Sequence, residues 1–364
     1  MELISDRHPL IIVVGAGGVG KTTLAAAIGV GAALAGRATL VATFDPSLRL
    51  KDTLGVGEEA RDREVPVALA APATLHASLL DARRTFDRLV ERYAPDPASR
   101  RRILDNRFYQ QLSGSLGGIL EYMAVERLFE VEAEGRYSHV VLDTPPTQQA
   151  VDFLEAPSRI VGFLDSGALK VALRPWFDEA GRLKAAAHWG GLGRRAERFL
   201  DEVVGLDLLR DMAEFFQAFS PLYAGFRTRA AEVEELLRSP RTLFLLVAGP
   251  GEENVPDTLF FARRLRQAGY HLGPIIVNRV HPRAALSGGA GGAATTPGGS
   301  RQPDGRELLA WLGERDHRGL VELGKLLGPD QPLATLPLRP DEPTDLASLA
   351  EMSEALHRRL AALT

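Results

Sequence analysis

The stretch from Leu10 to Thr23 constrains this chain more than any other. Leu10 to Val14 is an unbroken apolar, largely β-branched run, the pattern of a strand buried on both faces of a parallel sheet. It leads into Gly15-Ala16-Gly17-Gly18-Val19-Gly20-Lys21-Thr22, which fits G-x-x-x-x-G-K-[ST]. Thr22 to Ala35 then reads as a Leu- and Ala-rich helix that Gly36 stops. Strand, glycine loop and helix in that order make a phosphate cradle, because glycines let backbone amides and a helix N-terminus face an anion. Lys21 adds a point charge and Thr22 a hydroxyl for magnesium. Gly15, Gly17, Gly18, Val19, Gly20, Lys21, Thr22 and Thr23 are therefore the expected contacts for a nucleotide's phosphates.

Ala38 to Phe44 reads as a second strand, and Val140 to Leu142, Leu243 to Val247 and Ile275 to Val277 as further buried strands interleaved with helical stretches. This alternation predicts an α/β fold with a doubly wound, mainly parallel sheet. In such sheets ligands bind beyond the carboxyl ends of the strands, where Asp45, just before Pro46, and Asp143, two residues before Pro145, both fall. An aspartate ahead of a proline is ordinarily a turn or cap residue. Two of them at strand ends behind a P-loop point instead to magnesium or water.

Between Phe153 and Arg238 the strand signal disappears, so a helical insertion is expected over 153–238, with the P-loop core formed by 1–152 and 239–364. Phe215, Phe216, Phe219, Leu222, Tyr223 and Phe226 recur at spacings of three and four and form one helical stripe. Trp176, Phe177 and Trp189 lie in the same region. The stretch 282–305 is rich in Gly, Ala, Ser and Pro and is expected to be a flexible loop, too poor in large apolar groups to offset its ordering entropy. Near the C-terminus, Leu and Ala on one face oppose Glu351, Glu354, Arg358 and Arg359, which suits a helix packed on the sheet rather than one lying on a membrane.

Composition narrows the function. A formal net charge of −4 supplies no global positive field for nucleic acid or anionic lipid. The absence of cysteine excludes disulfides, thiolate metal sites and thiol chemistry. The eight histidines are scattered without ligand spacing, so no metal other than magnesium is expected. Acidic residues near the start and the lack of a long apolar run suggest a cytoplasmic protein without a transmembrane segment.

With these residues in view, the chain resembles the ArsA/GET ATPases, dimeric P-loop proteins that drive arsenite pumps or deliver tail-anchored membrane proteins. GAGGVGKTT resembles the family's P-loop, FDPS at Phe44 to Ser47 its switch I, and DTPPT at Asp143 to Thr147 its switch II. VAGPGEENVPDT (Val247 to Thr258) and IVNR (Ile276 to Arg279) are similar to its adenine-side segments, and LPLRPDEP (Leu336 to Pro343) to its closing strand and loop. The resemblance implies ATP and Mg2+ as cofactors. Lys21 would hold the β and γ phosphates, Thr22 would ligate magnesium with Asp143 supporting it through water, Asp45 would orient the attacking water, and Asn278 would read adenine. A turn-capping role for Asn278 stands beside that one. The resemblance also implies a dimer, and a helical lobe that forms a groove for hydrophobic clients; for the aromatic stripe, burial in an internal core is the simpler expectation.

Two departures matter. The family's second P-loop residue is a lysine that reaches across the dimer to the partner's phosphates, and here it is Ala16. A homodimer should then hydrolyse slowly unless another cation substitutes, and a heterodimer with a lysine-bearing subunit becomes an alternative. The family's thiolate arsenite sites and Cys-x-x-Cys zinc site are likewise impossible. The competing readings are a MinD- or ParA-like positioning ATPase and a regulatory nucleotide-binding subunit with little turnover.

Overall fold

The computed structural model describes residues 7–44, 49–61, 63–69, 73–110, 119–145, 155–159, 162, 211, 214–215, 218–283 and 305–363. In chain order its elements are β1 (Leu10–Gly15), α1 (Lys21–Leu34), β2 (Thr39–Thr43), α2 (Arg49–Leu54), β3 (Val65–Pro66), β4 (Leu75–Leu79), α3 (Ala82–Tyr93), α4 (Pro97–Leu104) and α5 (Ile119–Glu134). There follow β5 (His139–Asp143), α6 (Tyr223–Arg238), β6 (Thr242–Ala248), α7 (Val255–Gln267), β7 (Leu272–Val280), α8 (Gly305–Leu327), β8 (Leu333–Pro337) and α9 (Leu346–Ala361).

The chain divides into two compact units. The first comprises Met1–Leu80, Glu130–Val151 and Leu236–Thr364, and it holds an eight-stranded sheet in the order β3-β4-β2-β5-β1-β6-β7-β8. Every pairing is parallel except β3 with β4. All residues of β1, β2, β5 and β6 are buried, as strands covered on both faces require. The chain therefore has the expected α/β doubly wound fold. Among the described residues no helix is long and apolar enough to cross a membrane.

α1 lies unusually close to the sheet, because a Cβ on Gly29 would meet the Val41 side chain at 2.0 Å. It ends as the sequence suggests: Gly36 takes φ 82°, and the amides of Gly36 and Arg37 bond back to Ala33 and Ala32, a Schellman closure. α9 packs against α1 and β8, with Leu349, Met352, Leu356 and Leu360 buried in the same core as Leu24 and Ile28. Its start carries a capping box between Asp345 and Ser348. The amphipathic C-terminal segment is thus a sheet-packing helix.

The second unit comprises Asp81–Phe129 and Asp152–Glu235. Phe86, Tyr109, Phe215, Phe219 and Phe226 contact one another ring to ring and are all buried. The described part of the aromatic stripe is therefore interior core; Phe216 lies outside the described residues, as do Trp176, Phe177 and Trp189. The Tyr109 hydroxyl bonds to Asp87, and burial together with that carboxylate pushes its pKa up. Fully buried Glu126 is held by Arg229 at 2.6 Å and by the Tyr122 hydroxyl at 3.0 Å, so its charge is compensated within the unit. Of the expected loop at 282–305, only its first two residues and its last are described.

Candidate functional site: a phosphate cradle and its acidic neighbour

The site lies at the carboxyl ends of β1, β2 and β5, adjacent strands in the centre of the sheet. β1 ends on Gly15 at φ 151°, where a Cβ would stand 2.1 Å from the Val247 carbonyl oxygen of β6, so only glycine lets the chain leave the sheet here. The loop then closes on Gly20 at φ 91°, the residue that caps α1. A Cβ on Gly20 would lie 2.5 Å from the Asn278 side-chain nitrogen.

Lys21 opens α1 and is 7% exposed, and its ammonium donates to the Ala16 carbonyl at 2.8 Å. That bond folds the long side chain back across the loop it belongs to. The Thr22 hydroxyl donates to the Asp143 carboxylate at 2.8 Å, and the Thr43 hydroxyl donates to the same oxygen at 3.1 Å. Thr43 and Asp143 are register partners at the ends of β2 and β5, so the sheet itself sets their approach. Asp143 is fully buried, and a buried carboxylate needs such donors. The next residue, Thr144, donates through its hydroxyl to the Val13 carbonyl at 2.8 Å and fastens the chain after β5 to β1.

Asp45 lies outside the described residues, as do Ser47 and Thr147. The backbone just before Asp45 is fixed, because the Phe44 amide bonds to the Asp143 carbonyl at 3.3 Å.

On the other side of the loop a cavity opens between β7, β8 and α9, lined by Gly20, Thr23, Asn278, Arg279, Leu336 and Met352 among others. Asn278 is buried, and its amide nitrogen donates to the Val19 carbonyl at 2.9 Å. Its bond is thus to the P-loop, 259 residues away in sequence, not to a local turn. The end of β7 is anchored in turn by fully buried Asp316 of α8, which accepts from the His281 amide at 2.9 Å and meets its ring nitrogen at 2.7 Å. Pattern reading does not single out Thr43, Arg279 or the His281–Asp316 pair. Each acts through a contact made by the fold, and no spacing in the sequence announces it.

Residues 8–187 match the family model described as anion-transporting ATPase. These matches support the ArsA/GET ATPase family for this chain. A Halobacterium salinarum protein named after the arsenical pump-driving ATPases is 31% identical over 173 residues, covering 44% of this chain and 26% of its own length. ATPase GET3 of Kluyveromyces lactis is 27% identical over 236 residues, covering 61% of this chain and 67% of its own. An Aquifex aeolicus protein, also named after the arsenical pump-driving ATPases, is 23% identical over 283 residues, covering 76% of this chain and 64% of its own. The matches thus span about a quarter of the Halobacterium protein and about two thirds of the other two family members. The P-loop, β2 and β5 all fall within the segment matched by the family model.

Proposed function

We propose that this chain binds ATP with Mg2+ and hydrolyses it as a dimeric conformational switch of the ArsA/GET type, in the cytoplasm. The observation that carries the reading is the joining of the P-loop helix to the end of β5, with the Thr22 hydroxyl 2.8 Å from a buried Asp143. A hydroxyl and a carboxylate are hard oxygen donors, the set that suits magnesium. Thr22 would ligate the ion and Asp143 would support it through water; when bound, the ion supplies positive charge to the phosphate oxygens.

The chain's own residues do the rest. Gly15, Gly17, Gly18, Val19 and Gly20 offer backbone amides to the phosphates, Thr22 and Thr23 extend the cradle into the first turn of α1, and Lys21 swings from the Ala16 carbonyl onto the β and γ phosphates. Asp45 orients a water for attack on the γ phosphorus; the bond to the bridging oxygen breaks and ADP leaves with its electron pair. Asn278 borders the cavity on the base side, where its carbonyl oxygen is available to adenine while its nitrogen bonds Val19.

Ala16 favours a second form of the same reading, a mixed dimer with a lysine-bearing relative in which the partner completes the site on this chain. A hydrophobic client is proposed only by family resemblance, since Phe215, Phe219 and Phe226 of the aromatic stripe are buried. Single-turnover hydrolysis tests the reading: Asp45→Asn should bind ATP as the parent does and hydrolyse it far more slowly. Equal loss of binding and turnover would remove the role given to Asp45.

A further inference from the structure

The last residues of β7 hold two consecutive P-loop carbonyls. Asn278 Nδ2 donates to the Val19 carbonyl at 2.9 Å, and Arg279 Nη1 donates to the Gly18 carbonyl at 3.0 Å. The second guanidinium nitrogen of Arg279 meets Glu342, in the loop after β8, at 2.7 Å. Among the described residues Arg279 is the one non-glycine residue with a positive φ, 62°. An L side chain in that region is strained, and such strain persists where several surrounding contacts fix the residue.

Peptide geometry gives these contacts a consequence. The Gly18 carbonyl and the Val19 amide belong to one planar trans peptide and point in opposite directions, as do the Val19 carbonyl and the Gly20 amide. Drawing both carbonyls towards β7 therefore leaves both amides facing the other way, free to meet an anion. Glu342 is largely exposed, so its ion pair contributes little by itself; its part is to aim the planar guanidinium.

We infer that Arg279 is a positioning residue for phosphate binding: with Asn278 it presets the Val19 and Gly20 amides, and through Glu342 it links that setting to the loop after β8. The inference rests on the nucleotide-binding reading of the P-loop. It differs from a base-contacting role for Arg279, which its place in the cavity wall would also allow.

Calorimetric affinities for ATP and for inorganic tripolyphosphate, both with Mg2+, separate the two roles because tripolyphosphate has no base. Arg279→Ala should weaken both ligands by a similar factor of about tenfold, the loss of one charge-assisted hydrogen bond. Arg279→Lys should recover part of the loss, since an ammonium can reach the Gly18 carbonyl without making the two-pronged bridge. Arg279→Gly relieves the strained φ and should bind as weakly as the alanine variant; it also carries the comparison, with the lysine variant, if alanine does not fold. Loss for ATP alone, no loss for either ligand, or parental affinity in the glycine variant would each overturn the inference. If the parent binds neither ligand, or Lys21→Ala binds both as the parent does, the nucleotide-binding proposal fails and this inference with it.

Discussion

The Thr22 hydroxyl donates to the Asp143 carboxylate at 2.8 Å, joining the first turn of the P-loop helix to the end of a neighbouring central strand. Thr43 donates to the same carboxylate oxygen, so one buried group holds β2, β5 and α1 at the point where phosphate chemistry is proposed.

Replacing Asp143 therefore has two effects that can be read separately. Asp143→Ala takes this acceptor from both threonine hydroxyls and should lower stability by about 1–3 kcal/mol in urea unfolding. It should also flatten the dependence of ATP affinity on Mg2+ concentration. Asp143→Asn should lose the magnesium dependence with a smaller stability cost. A variant that folds and responds to magnesium like the parent would contradict the assignment.

Two glycines of the loop should fail in different ways. Gly15→Ala drives a Cβ to within 2.1 Å of a backbone oxygen of β6, which cannot move without parting the strands, so a loss of about 3 kcal/mol or more is expected. Gly20→Ala meets the movable Asn278 side chain and an unfavourable φ, for a cost of about 1–2 kcal/mol. Its ATP binding should fall all the same, because displacing Asn278 releases the Val19 carbonyl. Denaturation and calorimetry on the two variants check the contrast; equal stability losses would contradict it.

Acidification should destabilise the protein through two histidines remote from the phosphate site. Burial lowers the pKa of His76, and burial together with the stacked His8 lowers that of His271. A depressed histidine pKa means the unfolded chain binds the proton more readily, so this contribution is full above the ordinary value of 6.5 and is lost as pH falls through the lowered folded value. Thermal midpoints should drop between about pH 7 and about pH 5, and His271→Gln should reduce the slope. An unchanged slope would show that His271 does not contribute.

The legible parts of the fold are those where local pattern and tertiary environment agree. β1, β2, β5, β6 and β7 are readable because strands buried on both faces must be continuously apolar, although β7 extends three residues beyond the apolar Ile275 to Val277 at each end, over Leu272–Val280. β4 was hidden because His76 and Ser78 interrupt its run, although its neighbour β2 gives it a parallel partner along its full length. β3 is two residues with a proline at the sheet edge, too short for any periodicity. Within the site, Lys21, Thr22 and Asp143 announce themselves by motif and strand end. Thr43 and Arg279 do not, because each becomes relevant only when residues about 100 and 261 positions apart meet.

On the proposed reading, Ala16 bears on turnover rather than on binding. Lys21 bonds to the backbone carbonyl of Ala16, a group that Ala16→Lys leaves in place. Multiple-turnover hydrolysis should rise by about tenfold or more in the lysine variant, or when a lysine-bearing relative is added to the parent, because a cation is restored in trans. Rapid turnover by the parent alone, with no gain from either change, would contradict the proposed division of labour.

The most direct test of the account is the affinity for ATP with Mg2+, measured by titration calorimetry on the parent protein and on Lys21→Ala. The account predicts saturable binding by the parent and none detectable in the variant, since the substitution removes the one charge the P-loop supplies to the β and γ phosphates. Undiminished affinity in Lys21→Ala, with the variant folded as the parent is, would contradict it.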